Sequence, residues 1–206
     1  EMFKLKAVDH PNVMRLYHGY SDDIGMIIVG EFFEKGSLEM FEINKPQCGK
    51  LSSPKIQRII KDILSALSYL HSYGMVHRDI KPANIMLSGE GAKLIDLGVC
   101  TEPTEEDCDP QDFPGSPYYA APEVILKRPH NGTADIWSFG ITIWFLFANP
   151  YQSDKNFENL QEFFDTVILE RGPWNGRGKV PDYLNDFITA SVVFDREGRM
   201  EAGKLL

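Results

Sequence analysis

The sequence predicts an α+β fold, with a short β-rich front followed by a mainly helical remainder. Three observations carry this. Two runs, Val13 to Tyr20 and Met26 to Phe32, flank the polar stretch Ser21-Asp22-Asp23 and read as two strands with their turn. Ile56, Ile59, Ile60, Ile63, Leu64, Leu67 and Leu70 recur at spacing three and four, the pattern of an amphipathic helix. The nearly uncharged run Ile136 to Ala148 is too short to span a bilayer and suits a buried core helix.

Taken in order, Glu1 to Ala7 reads as the end of a helix, with Met2, Phe3, Leu5 and Val8 as its apolar face. His10-Pro11-Asn12 stops it, because the residue before a proline avoids helical angles. The two strands follow. Ser53-Pro54 then opens the long helix, with Ser53 as N-cap and proline at the first helical position. That helix runs to about Ser72, and Gly74 stands where a C-terminal glycine is expected. Ile85-Met86-Leu87 and Lys93-Leu94-Ile95 form short strands joined by the hairpin Ser88-Gly89-Glu90-Gly91.

Residues 96–123 form a long irregular segment, and a long loop in a compact domain is usually functional. Asn131 or Thr133 caps the buried helix. Asn149 to Gly178 is a polar connection with a helix around Phe157 to Leu169, broken by Pro173-Trp174-Asn175-Gly176. A last amphipathic helix covers Tyr183 to Phe194, ahead of Asp195-Arg196-Glu197-Gly198-Arg199. The chain shows no repeat, low-complexity tract or interdomain linker.

With 206 residues, 43% apolar and 25% charged, the chain suits one sizeable core or two small lobes. A formal net charge of −9 argues against non-specific nucleic-acid binding or binding to an anionic membrane. The opening Glu1-Met2-Phe3-Lys4 is already amphipathic and lacks a signal-peptide pattern, so the chain reads as a fragment or processed product. Cys48, Cys100 and Cys108 show no C-x-x-C pairing and read as reduced thiols of a cytosolic or nuclear protein.

The chemistry concentrates in His77-Arg78-Asp79-Ile80-Lys81-Pro82-Ala83-Asn84 and, beyond the hairpin, Asp96-Leu97-Gly98. Asp79 suits acceptance of a hydroxyl proton. Lys81 suits a place beside a transferring phosphoryl group. Asn84 and Asp96 offer the hard oxygen ligands that Mg²⁺ prefers. His77 reads as a packed core histidine rather than a base.

This string, H-R-D-x-K-x-x-N followed by D-x-G, resembles the catalytic loop and metal-binding motif of protein kinases. Gly115-Ser116-Pro117-Tyr118-Tyr119-Ala120-Ala121-Pro122-Glu123 resembles the end of that family's activation segment, and Asp135-Ile136-Trp137-Ser138-Phe139-Gly140 its D-x-W-S-x-G helix. The motifs lie in family order along essentially the whole chain. The resemblance implies a two-lobe fold, with residues 1–30 as a partial small lobe, 31–37 as the hinge and 38–206 as the large lobe. It also implies ATP and Mg²⁺ as cofactors and a protein as substrate, with Asp79, Lys81, Asn84 and Asp96 as the catalytic set. Asn84 and Asp96 would hold the metal.

The lysine two residues after Asp79, and Ser116 in the segment before A-P-E, agree with serine/threonine rather than tyrosine kinases. The H-P-N turn, Ala66-Leu67-Ser68-Tyr69-Leu70-His71 and Pro117-Tyr118-Tyr119 most resemble calcium/calmodulin-dependent-type kinases, although no calcium loop is present.

For the nucleotide, the resemblance sets the backbones of Glu31 and Phe33 along the adenine edge and groups Met86 with them. Gly30 falls where a larger side chain usually controls access behind the adenine; the other reading of Gly30 is a strand bulge. Glu1 holds the place of the regulatory-helix glutamate. Its lysine partner and the G-x-G-x-x-G loop would lie upstream and are not in this sequence. Arg78 would hold a phosphate on the activation segment, with Thr101 and Thr104 as acceptors and Ser116 a further regulatory position. The acidic residues around them, Glu102 to Asp112, read first as a solvated loop. Glu123 and Arg199 would form a buried pair, and Asp135 would hold the catalytic-loop backbone.

Leu97 stands for the usual phenylalanine and would stack with Leu5, Leu16 and His77. The competing readings are a non-enzymatic pseudokinase or scaffold, and a metal-dependent hydrolase using Asp79 and Asp96.

Overall fold

A computed structural model describes residues 8–21, 25–43, 51–89, 91–97, 117–148 and 180–206. Glu1, Thr101, Thr104, Ser116, Leu5, the three cysteines and the helices expected over 1–7 and 157–169 lie outside the described residues.

Strand β1 (Leu16–Ser21) pairs antiparallel with β2 (Met26–Gly30), Leu16 facing Gly30 and His18 facing Val29. Tyr17 is the extra residue between them, so the irregularity sits on β1, opposite the Gly30–Val29 step. β1 starts later than the expected Val13 and takes in Ser21. The reason lies in the backbone hydrogen bonds of the preceding residues. Met14 N–H donates to the Leu94 carbonyl at 2.8 Å, Leu94 N–H donates to the Asn12 carbonyl at 2.8 Å, and Val13 bridges Leu94 in parallel sense. Residues 12–14 therefore belong to the junction with the second hairpin rather than to β1.

After a connection that turns at residues 33–36, with Gly36 N–H donating to the Phe33 carbonyl at 3.2 Å, a short helix α1 (Leu38–Ile43) leads toward α2 (Ser53–Ser72). The N-cap of α2 is Ser52, one residue before the expected Ser53, and Pro54 occupies the second helical position. Ser52 is extended, and its carbonyl accepts from Ile56 N–H at 3.0 Å. Proline is tolerated in this first turn because its missing N–H has no intrahelical partner to lose. Ile56, Ile59, Ile63, Leu64, Leu67 and Leu70 are buried.

The C-terminus of α2 closes as a Schellman motif. Gly74 N–H donates to the His71 carbonyl and Met75 N–H to the Leu70 carbonyl, both at 3.0 Å, with Gly74 at φ +68°. This turn drops the chain into Val76 and the polar loop beyond it.

A 3-10 turn (Pro82–Asn84) precedes β3 (Ile85–Ser88), which pairs antiparallel with β4 (Gly91–Leu94), Met86 facing Lys93 and Leu87 facing Ala92. Beyond a further 3-10 turn (Pro117–Tyr119), α3 (Pro122–Ile125) precedes α4 (Thr133–Ala148). Asn131, rather than Thr133, caps α4: its side-chain oxygen accepts from Thr133 N–H at 3.0 Å and from the Thr133 hydroxyl at 2.7 Å.

α4 is apolar all round and correspondingly buried, with Ile136, Trp137, Phe139, Ile141 and Ile143 at 1% exposure or less. Beyond its first turn its hydroxyls are satisfied within the helix, Ser138 donating to the Ala134 carbonyl and Thr142 to that of Ser138. α5 (Asp182–Ser191) packs on α4 and ends earlier than the expected Phe194; a 3-10 turn (Arg196–Gly198) and α6 (Ala202–Leu205) complete the chain. The core joins α2, α4, the β3–β4 hairpin and α5. Among the described residues, no helix is long and apolar enough to cross a membrane.

Candidate active site

The loop after Val76 is held from below by α4. Asp135, in the first turn of α4 and 1% exposed, accepts three hydrogen bonds. Its Oδ1 takes Arg78 N–H at 2.8 Å, and its Oδ2 takes His77 N–H and His71 Nε2, each at 2.8 Å. Burial alone pushes this carboxyl upward, but the His71 hydrogen bond and charge, with the His77 contacts, outweigh it and hold Asp135 below the usual carboxylate range. The anchored backbone is unusual. Arg78 sits at φ +67°, and across the site Asp96 sits at φ +62°, left-handed conformations that side-chain-bearing residues seldom adopt. Such residues persist where their surroundings over-determine them, and Asp135 provides that hold at Arg78.

His77 is fully buried, and both ring nitrogens are engaged. Nε2 lies 2.9 Å from the Ile95 carbonyl, and Nδ1 lies 3.3 Å from Asp79 N–H. The Nε2–H tautomer satisfies both, donating to Ile95 and accepting from Asp79. The ring thus spans from the loop to the residue before Asp96.

Asp79 is 7% exposed, and its carboxylate gathers the next two polar residues of the motif. Lys81 Nζ lies 2.7 Å from Oδ2. Asn84 Nδ2 donates to Oδ2 at 3.0 Å and to the Asp79 carbonyl at 2.8 Å. Asn84 is also tied forward, because Ile95 N–H donates to the Asn84 carbonyl at 3.0 Å. The hairpin between them therefore returns Asp96, which is solvent-exposed, to the neighbourhood of the Asp79–Lys81–Asn84 cluster.

The hairpin itself is clamped by side chains that sequence reasoning missed. Asp62 of α2 is buried and accepts Ala92 N–H on β4 at 3.0 Å and Arg58 Nε at 2.9 Å. A Cβ at Gly91 would collide with that carboxylate, so close approach requires glycine there. Asn12 Nδ2 donates to the Ala92 carbonyl at 3.1 Å. Asp62 had a readable signal, being an acid within the apolar stripe between Ile59 and Ile63. His71 and Asn12 carried no such signal.

The remaining expected positions fall as follows. Gly30 ends β2, and a Cβ there would lie 3.4 Å from both the Arg15 carbonyl oxygen and the Met14 thioether. Glu31 N–H donates to the Arg15 carbonyl at 3.0 Å, while Phe33 is buried and Met86 half-buried on β3. Leu97 packs against the core. Glu123 and Arg199 form a bidentate buried pair, Nη1 to Oε1 at 2.6 Å and Nη2 to Oε2 at 3.1 Å. Arg199 also donates to the Thr133 and Val193 carbonyls and lies over the Trp137 ring, which joins α3, α4 and the segment after α5.

A cluster of acid, lysine and asparagine in one loop, with a second acid brought back next to it by the hairpin, could orient a hydroxyl and offset phosphate charge. Comparison with known sequences agrees: the profile described as "Protein kinase domain" matches residues 1–206. The chain belongs to the protein kinase family. Relatives include the serine/threonine-protein kinase pak-2 of Caenorhabditis elegans, 32% identical over 100% of this chain and 39% of that protein. A probable serine/threonine-protein kinase mkcB of Dictyostelium discoideum is 40% identical over 98% of this chain and 28% of that protein. The serine/threonine-protein kinase PAK mbt of Drosophila melanogaster is 29% identical over 100% and 32%, respectively. This kinase-family chain thus spans well under half the length of these relatives.

Proposed function

We propose that this chain is the catalytic part of a protein serine/threonine kinase that transfers phosphate from ATP to protein hydroxyls. The observation that carries the reading is the Asp79 carboxylate with Lys81 Nζ at 2.7 Å and Asn84 Nδ2 at 3.0 Å. In this reading Asp79 orients the acceptor hydroxyl and takes its proton, while Lys81 offsets charge on the phosphoryl group in flight. Arg78 and Asp135 keep the loop in the geometry that makes this possible, a positioning contribution.

Asn84 and Asp96 are the residues that would hold Mg²⁺. An amide oxygen and one carboxylate form a sparse, hard donor set, which suits an ion that keeps waters and takes phosphate oxygens. With the Asn84 nitrogen committed to Asp79, its oxygen is the end left to act as a ligand. Among the described residues, no cluster of three His, Cys, Asp or Glu offers a protein-caged metal instead. When bound, the ion neutralises charge on the phosphates.

Segment 31–37 acts as the hinge between a partial small lobe (1–30) and the large lobe (38–206), with Glu31, Phe33 and Met86 around the adenine. The test is phosphate transfer from Mg·ATP to a serine- or threonine-containing protein, measured for the full protein carrying this chain and for Asp79→Asn. Transfer that Asp79→Asn abolishes supports the reading. Transfer that Asp79→Asn leaves intact removes it.

A further inference from the structure

The segment 31–37 is fastened to the β3–β4 hairpin at both of its ends. Gly36 accepts Leu87 N–H at 3.0 Å, Ser37 bridges Met86, and Lys35 Nζ donates to the Gly89 carbonyl at 2.6 Å. At the other end, Lys93 Nζ on β4 lies 2.7 Å from Glu31 Oε2. Both side chains are about one-fifth exposed, at 21% and 23%, so the pair is partly shielded from water. Directly opposed residues on antiparallel strands share a face. Lys93 faces Met86 across the hairpin, so the lysine stands beside the residue assigned to the adenine. Two residues beyond Lys93 come Ile95 and then Asp96, the hairpin's return to the metal side of the site.

We infer that Lys93 is a positioning residue for the nucleotide, locking Glu31 to the hairpin so that adenine-facing backbone and metal-facing carboxylate move as one piece. The inference rests on the proposed reading of segment 31–37 as the hinge. Met86 gives the base an apolar surface, and Lys93 fixes how far the Glu31–Phe33 backbone stands from it. Backbone hydrogen bonds already secure the segment at Gly36 and Ser37. At the Glu31 end the backbone is tied to Arg15, its N–H donating to the Arg15 carbonyl at 3.0 Å, and the ion pair is the contact that ties this end to the hairpin. Losing it loosens binding of the base and leaves the Asp79–Lys81–Asn84 cluster in place.

The experiment measures KM for Mg·ATP, kcat and melting temperature for the full protein and for Lys93→Met, Lys93→Arg and the reversed pair Lys93→Glu/Glu31→Lys. Lys93→Met raises KM about fivefold with kcat within about twofold, the size of effect a partly shielded charge pair supports. Lys93→Arg and the reversed pair return KM toward the unmodified value, a rescue that loss of packing alone does not produce. An unchanged KM in Lys93→Met, with the unmodified protein still binding Mg·ATP, overturns the inference and leaves the hinge reading standing. So does a fall in melting temperature and kcat with KM unmoved, which marks the pair as merely structural. Failure of the reversed pair to recover KM also overturns it. If the unmodified protein binds no Mg·ATP at all, the hinge reading falls and this inference falls with it.

Discussion

Asp135 and Arg78 stand 57 positions apart in the chain, yet the carboxylate of one holds the backbone N–H of the other at 2.8 Å. Because Arg78 sits at φ +67°, this contact stabilises a backbone conformation that an unsupported arginine would leave. The same carboxylate holds His77 N–H and the His71 ring, so one buried acid joins the end of α2, the loop and the start of α4.

Replacing Asp135 by alanine strands two backbone N–H groups and one ring nitrogen in the core. We expect a loss of about 3 kcal/mol or more in unfolding free energy, at about 1 kcal/mol or more per stranded group. Denaturant titration checks this. Phosphate transfer falls as well, because Arg78 relaxes.

The same residue sets an acid limb of stability. In the folded state the Asp135 carboxyl is held below the ordinary carboxylate range. Its contribution is therefore fully present above about pH 4–5, and it is lost as pH falls through the folded-state value. Urea midpoints between pH 3 and 7 should fall steeply at the acid end for the unmodified protein and less steeply for Asp135→Asn. Parallel curves for the two would contradict the assignment.

Arg199→Ala leaves Glu123 buried and uncompensated, which costs about 3–5 kcal/mol. Replacing both by a packed apolar pair costs much less, since no orphaned charge remains. Thermal unfolding of the single and double variants measures the difference, and additive losses would contradict the pairing as described.

How much of this was legible depends on whether a residue's role is local or tertiary. α2 and α4 were readable because their apolar spacing is written in consecutive turns, and Gly74 because a Schellman closure needs a left-handed residue there. The loop from His77 to Asn84 was readable as a motif, and Asp135 as an acid opening an apolar helix. The start of β1 was not, because whether Val13 pairs with β2 or with Leu94 is decided by the distant hairpin. The Lys93–Glu31 pair was hidden for the same reason: its partners are 62 positions apart, and neither stands out in its own segment. Asp62 lies between these cases, since an acid on a buried stripe announces that it has a partner without naming Ala92.

Gly30 yields a prediction about ligands. It has no side chain at the end of β2, where a Cβ would lie 3.4 Å from the Arg15 carbonyl oxygen and from the Met14 thioether. Nucleotide-site inhibitors with a bulky group aimed behind the adenine should lose at least about tenfold in affinity in Gly30→Met, or ~1.4 kcal/mol. Calorimetric titration of one bulky and one slim inhibitor separates this from a general loss of binding. Equal affinities before and after the substitution would show that the space is not used.

The most direct test of the account is the rate of phosphate transfer from Mg·ATP to a serine- or threonine-containing protein by the full protein, compared with its Asp79→Asn variant. Asp79→Asn keeps the side chain's shape and removes its capacity to take a proton. The account predicts measurable transfer by the unmodified protein and a fall of at least about 10²-fold in the variant, the range expected when a positioned base is lost. Equal rates in the two proteins would contradict it.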